Sequence, residues 1–295
     1  RLYRVADVEA RAKTLLDETD LPVTQVAYAS GFRSLRRFND AFRRAFSRPP
    51  TGLRRLRRTG TPASPGAVAL RLAFRPPYDL EALLAFLGAR AIPGVERVEA
   101  SAYARTIAAA SGPAAVRLCG VRGRDELLLL VHGAPATALL AITSHARRVF
   151  DLGADPAAVA AVLRKDPLLA PLVRRRPGLR VPGAWDPFEC AVRAILGQQV
   201  SVAAGRTMAA RLVERAGASL ERPIDGLSRV FPSPRALAGA DLAGLGITAA
   251  RTRTIAALAR AVADGRIDFG ASPDAVRAAL VELSGVGAWT AEYVA

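Results

Sequence analysis

Lysine is nearly absent from this 295-residue chain: Lys13 and Lys165 are the only two among 42 basic residues, and the rest are arginine. No lysine follows Lys165, so the C-terminal part offers no side-chain amine for Schiff-base chemistry. Cysteine is as scarce. Cys119 and Cys190 are the only two. They cannot build an all-cysteine tetrahedral zinc site or a four-cysteine iron–sulfur cluster within the chain, and are expected as buried free thiols. His132 and His145 are too few and too scattered for a metal site. No metal and no cofactor are therefore expected. No apolar run approaches the ~18 residues of a membrane span and no leader-like segment opens the chain, so a cytoplasmic protein without membrane contact is expected.

Positive charge is what the chain has in excess. The formal net charge of +16 favours a polyanionic partner. Residues 1–58 hold 14 basic and 6 acidic side chains, a net +8, and the remaining residues hold 28 and 20, also +8. The first fifth of the chain thus carries half of the excess. The length suggests roughly two domains, and an apolar share of 51% is enough for a large core. Residue 1 is Arg inside an expected helix, so the chain is expected to be a fragment at its N-terminus.

In chain order, residues 3–19 carry an amphipathic helical pattern ended by Leu21-Pro22. Residues 23–30 predict a short helix and Gly31 a turn. A second helix then begins at Ser34, placed to cap it. Leu35, Phe38, Ala41, Phe42 and Ala45 share its apolar face, and arginines crowd the other. This is a helix-turn-helix with a basic recognition helix. Residues 59–66 (TGTPASPG) read as a linker. An alternating segment at 67–74 and the segments 95–100, 103–108, 116–121 and 126–131 predict short strands, with helices at 79–91 and about 135–150. From about 151 the pattern is helical. Asp186-Pro187-Phe188-Glu189 is a capped helix start, and that helix runs to Gly197-Gln198-Gln199. Near the end, residues 283–291 (LSGVGAWTA) form a Gly-Val-Gly turn opening a helix. That arrangement leaves backbone N–H groups bare for a phosphate oxygen, and residues 241–247 look like a degenerate relative of it.

Residues 21–32 (LPVTQVAYASGF), 33–46 (RSLRRFNDAFRRAF) and 47–55 (SRPPTGLRR) together resemble the second helix-turn-helix of AraC-type transcription regulators. The resemblance implies base or groove contact by Arg33, Ser34, Arg36, Arg37 and Asn39, since arginine and asparagine suit bidentate reading of guanine and adenine edges. It implies phosphate contact by Arg43, Arg44, Arg54 and Arg55.

The stretches FRPPYD (74–79), LAFLGARAIPGVE (84–96), PGLRVPGAWDPFECAVRAILGQQVSVAAGRT (177–207), LGITAARTRTI (245–255) and LSGVGAWTAEYVA (283–295) resemble the DNA-3-methyladenine glycosylase II family. With the segment before them, they resemble fusions of the Ada methylation-response regulator with such a glycosylase. The implied fold is multidomain and mostly α: an AraC-type helix-turn-helix (1–58), a linker (59–66), a small α/β domain (67–150), and an all-α helix-hairpin-helix glycosylase domain (151–295), truncated at its end. The implied function is base-excision repair by flipping a 3-methyladenine-type base out of the duplex, joined to regulation of the alkylation response. Phe86, Trp289 and Tyr293 match the family's base pocket. Gly285, Val286, Gly287 and Thr290 form the phosphate-binding hairpin. Gln199 matches the wedge that fills the vacated space, with Gln198 beside it, where the family can present a leucine. Trp289 stands where strand-cleaving relatives carry a lysine, so monofunctional hydrolysis is expected. The family's catalytic aspartate follows the hairpin by about twenty residues and is expected beyond Ala295, so no catalytic residue is expected within the chain. Asp264, Asp268 and Asp274 precede the hairpin and do not take that role. The expected partners are alkylated and promoter DNA, with RNA polymerase meeting the regulator half of a monomer. The alternative is a damage-responsive DNA-binding regulator whose glycosylase-like region does no chemistry.

Overall fold

A computed structural model of the protein describes residues 12–17, 21–46, 49–51, 67–99, 101–109 and 112–295. The linker and Arg54–Arg55 lie outside these. The described residues cluster into two units, one drawing on residues up to Leu80 and on Ala108–Val181, the other on Glu81–Ile107 and Pro182–Ala295.

The first unit opens with a helical segment at 12–17, then α1 (Val23–Ala29) and α2 (Leu35–Phe46). Gly31 turns the chain between them at φ +95°, a left-handed conformation that costs glycine little. Phe32 packs edge-on to Phe38, and Phe38, Phe42 and Phe46 continue in a row of ring contacts along α2. Val26, Ala27, Phe38 and Phe42 are fully buried, so one apolar stripe holds both helices.

Strands β1 (Ala67–Ala73), β4 (Gly112–Gly120) and β5 (Glu126–His132) form an antiparallel sheet with β5 between the other two. The sequence shows why. β5 runs Leu127-Leu128-Leu129 without alternation, and all three are buried, as befits a central strand covered on both faces. β1 alternates, burying Leu70 and Leu72. A short 3-10 turn (Ala136–Ala138) leads into α4 (Leu139–Val149), which buries Leu139, Ile142, Ala146 and Val149 at helical spacing. The helix expected over 135–150 is thus split by that turn.

Helices α5 (Pro156–Leu163) and α6 (Leu169–Arg175) follow. The FRPPYD and PGLR motifs then meet. Arg180 is 5% exposed, and its guanidinium donates to the carbonyls of Arg75, Pro77, Asp151 and Ala154 while lying 4.9 Å from the Tyr78 ring. Two of the most recognisable motifs are therefore a carbonyl-lined knot around one buried cation.

In the second unit, α3 (Leu80–Arg90) precedes the hairpin of β2 (Glu96–Glu99) and β3 (Ala102–Ala109), paired from Glu96↔Arg105 to Glu99↔Ala102. Helices α7 (Pro187–Gly197), α8 (Val202–Ala216), α9 (Pro234–Ala238), α10 (Ala249–Ala263), α11 (Pro273–Val281) and α12 (Ala288–Val294) follow. Their core gathers Val192, Ile195 and Leu196 of α7, Leu212 of α8, Ile255 and Leu258 of α10, and Val286 and Ala291. Side-chain caps open α7 (Asp186), α8 (Ser201), α10 (Thr248) and α11 (Ser272), so the segmentation is written locally.

The region is not helical throughout, as its pattern suggested. Strands β6 (Ser219–Ile224) and β7 (Leu227–Arg229) make a hairpin across Asp225-Gly226, both at positive φ (50° and 76°). An Asp-Gly pair between apolar residues is the usual signal for this turn. The hairpin docks through backbone: Ser228 and Arg229 donate to the Gly94 carbonyl, and Thr106 donates to that of Arg229 at 2.6 Å.

A buried charge network fixes α7 to the β2–β3 hairpin. Arg105 donates to Glu189 at 2.6 Å, Arg193 bridges Glu189 and Glu96 at 2.7 Å each, and Tyr103 donates to Glu96 at 2.7 Å. The Glu96, Glu189 and Arg105 side chains are each 5% exposed or less. Burial by itself would push the Glu96 carboxyl up, but the charges of Arg193 and Arg105, with the hydrogen bonds from Arg193 and Tyr103, outweigh it and hold it below its ordinary 4.5. A carboxylate with a lowered folded pKa stabilises the fold above its unfolded value and loses that contribution as pH falls through the folded one. Glu96→Gln is therefore expected to cost about 3 kcal/mol near neutral pH, where it leaves Arg105 and Arg193 to share the single carboxylate of Glu189. In urea titrations the gap between wild type and variant should narrow as pH drops below about 4.5. A gap independent of pH would contradict the role given to Glu96.

Candidate nucleic-acid interface

Apart from Phe86 on α3, the residues expected to meet DNA in the second unit lie where α7 ends and α12 begins. Between α11 and α12 the chain turns through Ser284-Gly285-Val286-Gly287. Val286 is buried and its N–H donates to the Leu283 carbonyl at 2.9 Å, which anchors the turn from below. The two glycines have different tasks. Gly285 adopts φ +90°, and a Cβ there would fall 2.3 Å from the Thr254 hydroxyl, which bonds to the Ser284 carbonyl at 2.8 Å. Gly287 sits at φ −87°, ψ 170°, with open space where a Cβ would be. Its backbone would suit any residue. What the missing side chain leaves is an uncapped, exposed start to α12.

Trp289 and Tyr293 stack on each other, with centroids 5.4 Å apart and planes 13° apart. They are 71% and 56% exposed. These are not core aromatics. Phe86, on α3, is in a different setting. It is 38% exposed, and the guanidinium of Arg90, one helical turn on, covers its ring at 3.7 Å. The i, i+4 spacing was the sequence signal for that contact.

The two glutamines expected at the wedge part company. Gln198 turns inward: its side-chain amide donates to the Gly285 carbonyl at 3.0 Å and to the Thr290 hydroxyl at 3.2 Å. Thr290 is itself buried, so its hydroxyl serves the interior of the hairpin. Gln199 is exposed and holds φ +51°. Arg251 of α10 donates to the Gln198 carbonyl, closing the C-terminus of α7. Sequence reading missed Arg251 and Thr254, since both are ordinary polar residues in a helical pattern.

The acidic residues nearby are engaged locally. Asp264 pairs with Arg266, Asp268 accepts from the Gly270 N–H, Asp274 pairs with Arg277, and Glu292 pairs with Arg277 from α12. Among the described residues, no group of three or more His, Cys, Asp or Glu side chains could hold a metal ion. Burial pushes the Cys190 thiol up to about 11, so it is protonated near neutral pH.

In the first unit, Arg33, Arg36, Arg37, Arg43 and Arg44 are exposed along and before α2, while Ser34 and Asn39 are half-buried. Ser34 opens the helix, its carbonyl accepting from the Phe38 N–H at 3.0 Å. The apolar stripe thus points one way and the cations the other.

A family profile described as the AlkA N-terminal domain matches residues 69–186, and one described as a helix-turn-helix domain matches residues 8–56. The chain is 35% identical over 229 residues to DNA-3-methyladenine glycosylase 2 of Escherichia coli (strain K12), covering 76% of this chain and 78% of that protein. The chain belongs to the DNA-3-methyladenine glycosylase 2 family. It is also 40% identical over 289 residues to the "Probable bifunctional transcriptional activator/DNA repair enzyme AlkA" of Mycobacterium tuberculosis (strain CDC 1551 / Oshkosh), covering 96% of this chain. It spans 58% of the length of that relative. The 3-methyladenine DNA-glycosylase of Archaeoglobus fulgidus shares the fold, with a TM-score of 0.65 at 21% identity over 76% of this chain and 77% of that one.

Within the glycosylase 2 family frame, the hairpin's first glycine is open to a direct check. Gly285→Ala must accept a left-handed backbone and move the Thr254 hydroxyl, and it is expected to lower stability by roughly 2 kcal/mol. Gly287→Ala should cost less, about 1 kcal/mol or below, because alanine is only a poorer N-cap and meets no clash. Equal losses in thermal unfolding would contradict the division of tasks.

Proposed function

We propose that this chain binds alkylated duplex DNA and turns the damaged nucleotide out of the stack. In a protein that also carries the family's aspartate, it would hydrolyse the N-glycosidic bond of 3-methyladenine-type bases. The helix-turn-helix reads promoter DNA of the alkylation response beside RNA polymerase. The observation that carries the reading is the Trp289–Tyr293 stack, exposed on the helix that a Gly-Val-Gly turn opens. A methylated base such as 3-methyladenine is a flat cation, and electron-rich ring faces attract it by stacking and by cation–π interaction.

The neighbouring groups support the same reading. The uncapped start of α12 at Gly287 suits a phosphate oxygen. Gln199, exposed on a left-handed backbone, suits the wedge that replaces the flipped base. Position 289 is tryptophan and no lysine follows Lys165, which supports hydrolysis without strand cleavage. The exposed arginines of α2 suit phosphate and guanine contacts.

The engaged state of Asp264, Asp268, Asp274 and Glu292 supports a second reading for the 295-residue chain taken alone, as a DNA-binding regulator without chemistry. Residues 1–295 are expected to bind methylated duplex DNA and to release no 3-methyladenine. Chromatography of the supernatant decides this, and released base would overturn the assignment of the catalytic aspartate.

Gly287→Asp separates folding from binding. The new carboxylate enters open space at an uncapped helix start, so stability should hold or rise by a few tenths of a kcal/mol. Facing a phosphate it should weaken duplex binding about tenfold near 0.1 M salt, read by fluorescence anisotropy. Unchanged affinity would sink the hairpin's assignment as phosphate anchor.

A further inference from the structure

We infer that Gln198 is a positioning residue that fixes the wedge residue Gln199 relative to the phosphate-anchoring hairpin; the inference rests on the reading of both elements given above. Three elements meet on this one residue. Its backbone leaves α7 at φ −59°, ψ 127°, ending the helix. Its carbonyl receives the Arg251 guanidinium from α10. Its carboxamide nitrogen has two N–H groups, and they meet the Gly285 carbonyl at 3.0 Å and the Thr290 hydroxyl at 3.2 Å. Both amide donors are spent on the hairpin.

The next residue has no freedom to compensate. Gln199 is held at φ +51°, which costs a non-glycine residue about 1 kcal/mol or more. Two positions later Ser201 already caps α8, accepting from the Ala204 N–H at 3.2 Å. The connector between α7 and α8 is therefore three residues, 198–200, pinned at both ends. A strained residue persists only where its surroundings over-determine it, and here the restraint is the fan of bonds from Gln198. Seating a phosphate on residues 285–287 thereby sets where Gln199 enters the duplex. The amide is required as such: glutamate has no donor for the Gly285 carbonyl, and leucine has none for either partner.

The test compares two duplexes of one sequence, undamaged and carrying a tetrahydrofuran abasic analogue, with the 295-residue chain and its Gln198→Leu, Gln198→Glu and Gln199→Ala variants. Fluorescence anisotropy gives affinities, and 2-aminopurine opposite the abasic analogue reports filling of the gap. Gln198→Leu should bind undamaged duplex within about twofold of wild type, whereas Gln198→Glu, which brings a carboxylate beside the phosphate anchor, should also weaken it. Both variants should lose about tenfold in preference for the abasic duplex, the worth of one or two hydrogen bonds, and should lose the 2-aminopurine response, as Gln199→Ala does. Equal weakening on both duplexes would reduce Gln198 to a support of the hairpin alone and overturn the inference. So would an unchanged preference while Gln199→Ala loses it. A preference kept by Gln199→Ala would instead bring down the wedge reading itself. Should a Gln198 variant fail to fold in thermal unfolding, Arg251→Met removes the support from the other side and is expected to show the same selective loss.

Discussion

A guanidinium or carboxylate withdrawn from water costs several kcal/mol unless opposite charge and hydrogen bonds surround it, and the second unit answers that demand in one place. Glu96, Arg105 and Glu189 are each almost fully buried, with Arg193 closing the circuit. Glu96 and Arg105 of the β2–β3 hairpin meet their opposite charges on α7 only when that helix lies against the hairpin at one angle and one depth. Apolar packing alone tolerates sliding; a circuit of two arginines and two glutamates does not. The same helix that this circuit fixes runs on to Gly197 and delivers Gln198 and Gln199 to the rim of the hairpin.

The candidate interface is therefore built from the interior outward. Val286 and Ala291 belong to the helical core, Thr254 lies beneath Gly285, and Arg251 and Gln198 tie the ends of neighbouring elements together. What faces water is only the last layer: two stacked rings, a left-handed glutamine and a bare helix start. Rigid supports of this kind hold a recognition surface in place before its ligand arrives, so that binding spends less on ordering side chains. The first unit solves a similar problem differently. A single guanidinium, Arg180, collects four backbone carbonyls from two separate segments.

Much of the fold was legible because its signals are local. Caps at Asp186, Ser201, Thr248 and Ser272 mark where helices begin, and Leu127-Leu128-Leu129 marks a central strand. The β6–β7 hairpin was also written locally, in Asp225-Gly226, and was overlooked in a stretch whose surroundings are helical. The site was less legible. Gln198 and Gln199 are the same residue type side by side, and only the positive φ of the second separates a strut from an exposed tip. Gly285 and Gly287 look equivalent in the sequence, yet conformation and clearance demand glycine only at the first, while the second faces open space.

By itself, the sequence determined where the elements begin and end, which faces are apolar, and that residues 283–291 form a glycine turn into a helix bearing Trp289 and Tyr293. Periodicity, capping and turn chemistry act over a few residues and can be read without knowing the partners. The tertiary structure alone decided which polar residues turn inward. Glu96, Arg105, Glu189, Arg180 and Thr290 have the composition of surface residues and the burial of core ones, and Gln198 is half-buried beside them. Each was drawn in by a partner far away in the chain, and a buried hydrogen bond or ion pair depends on that partner's position rather than on its neighbours in sequence.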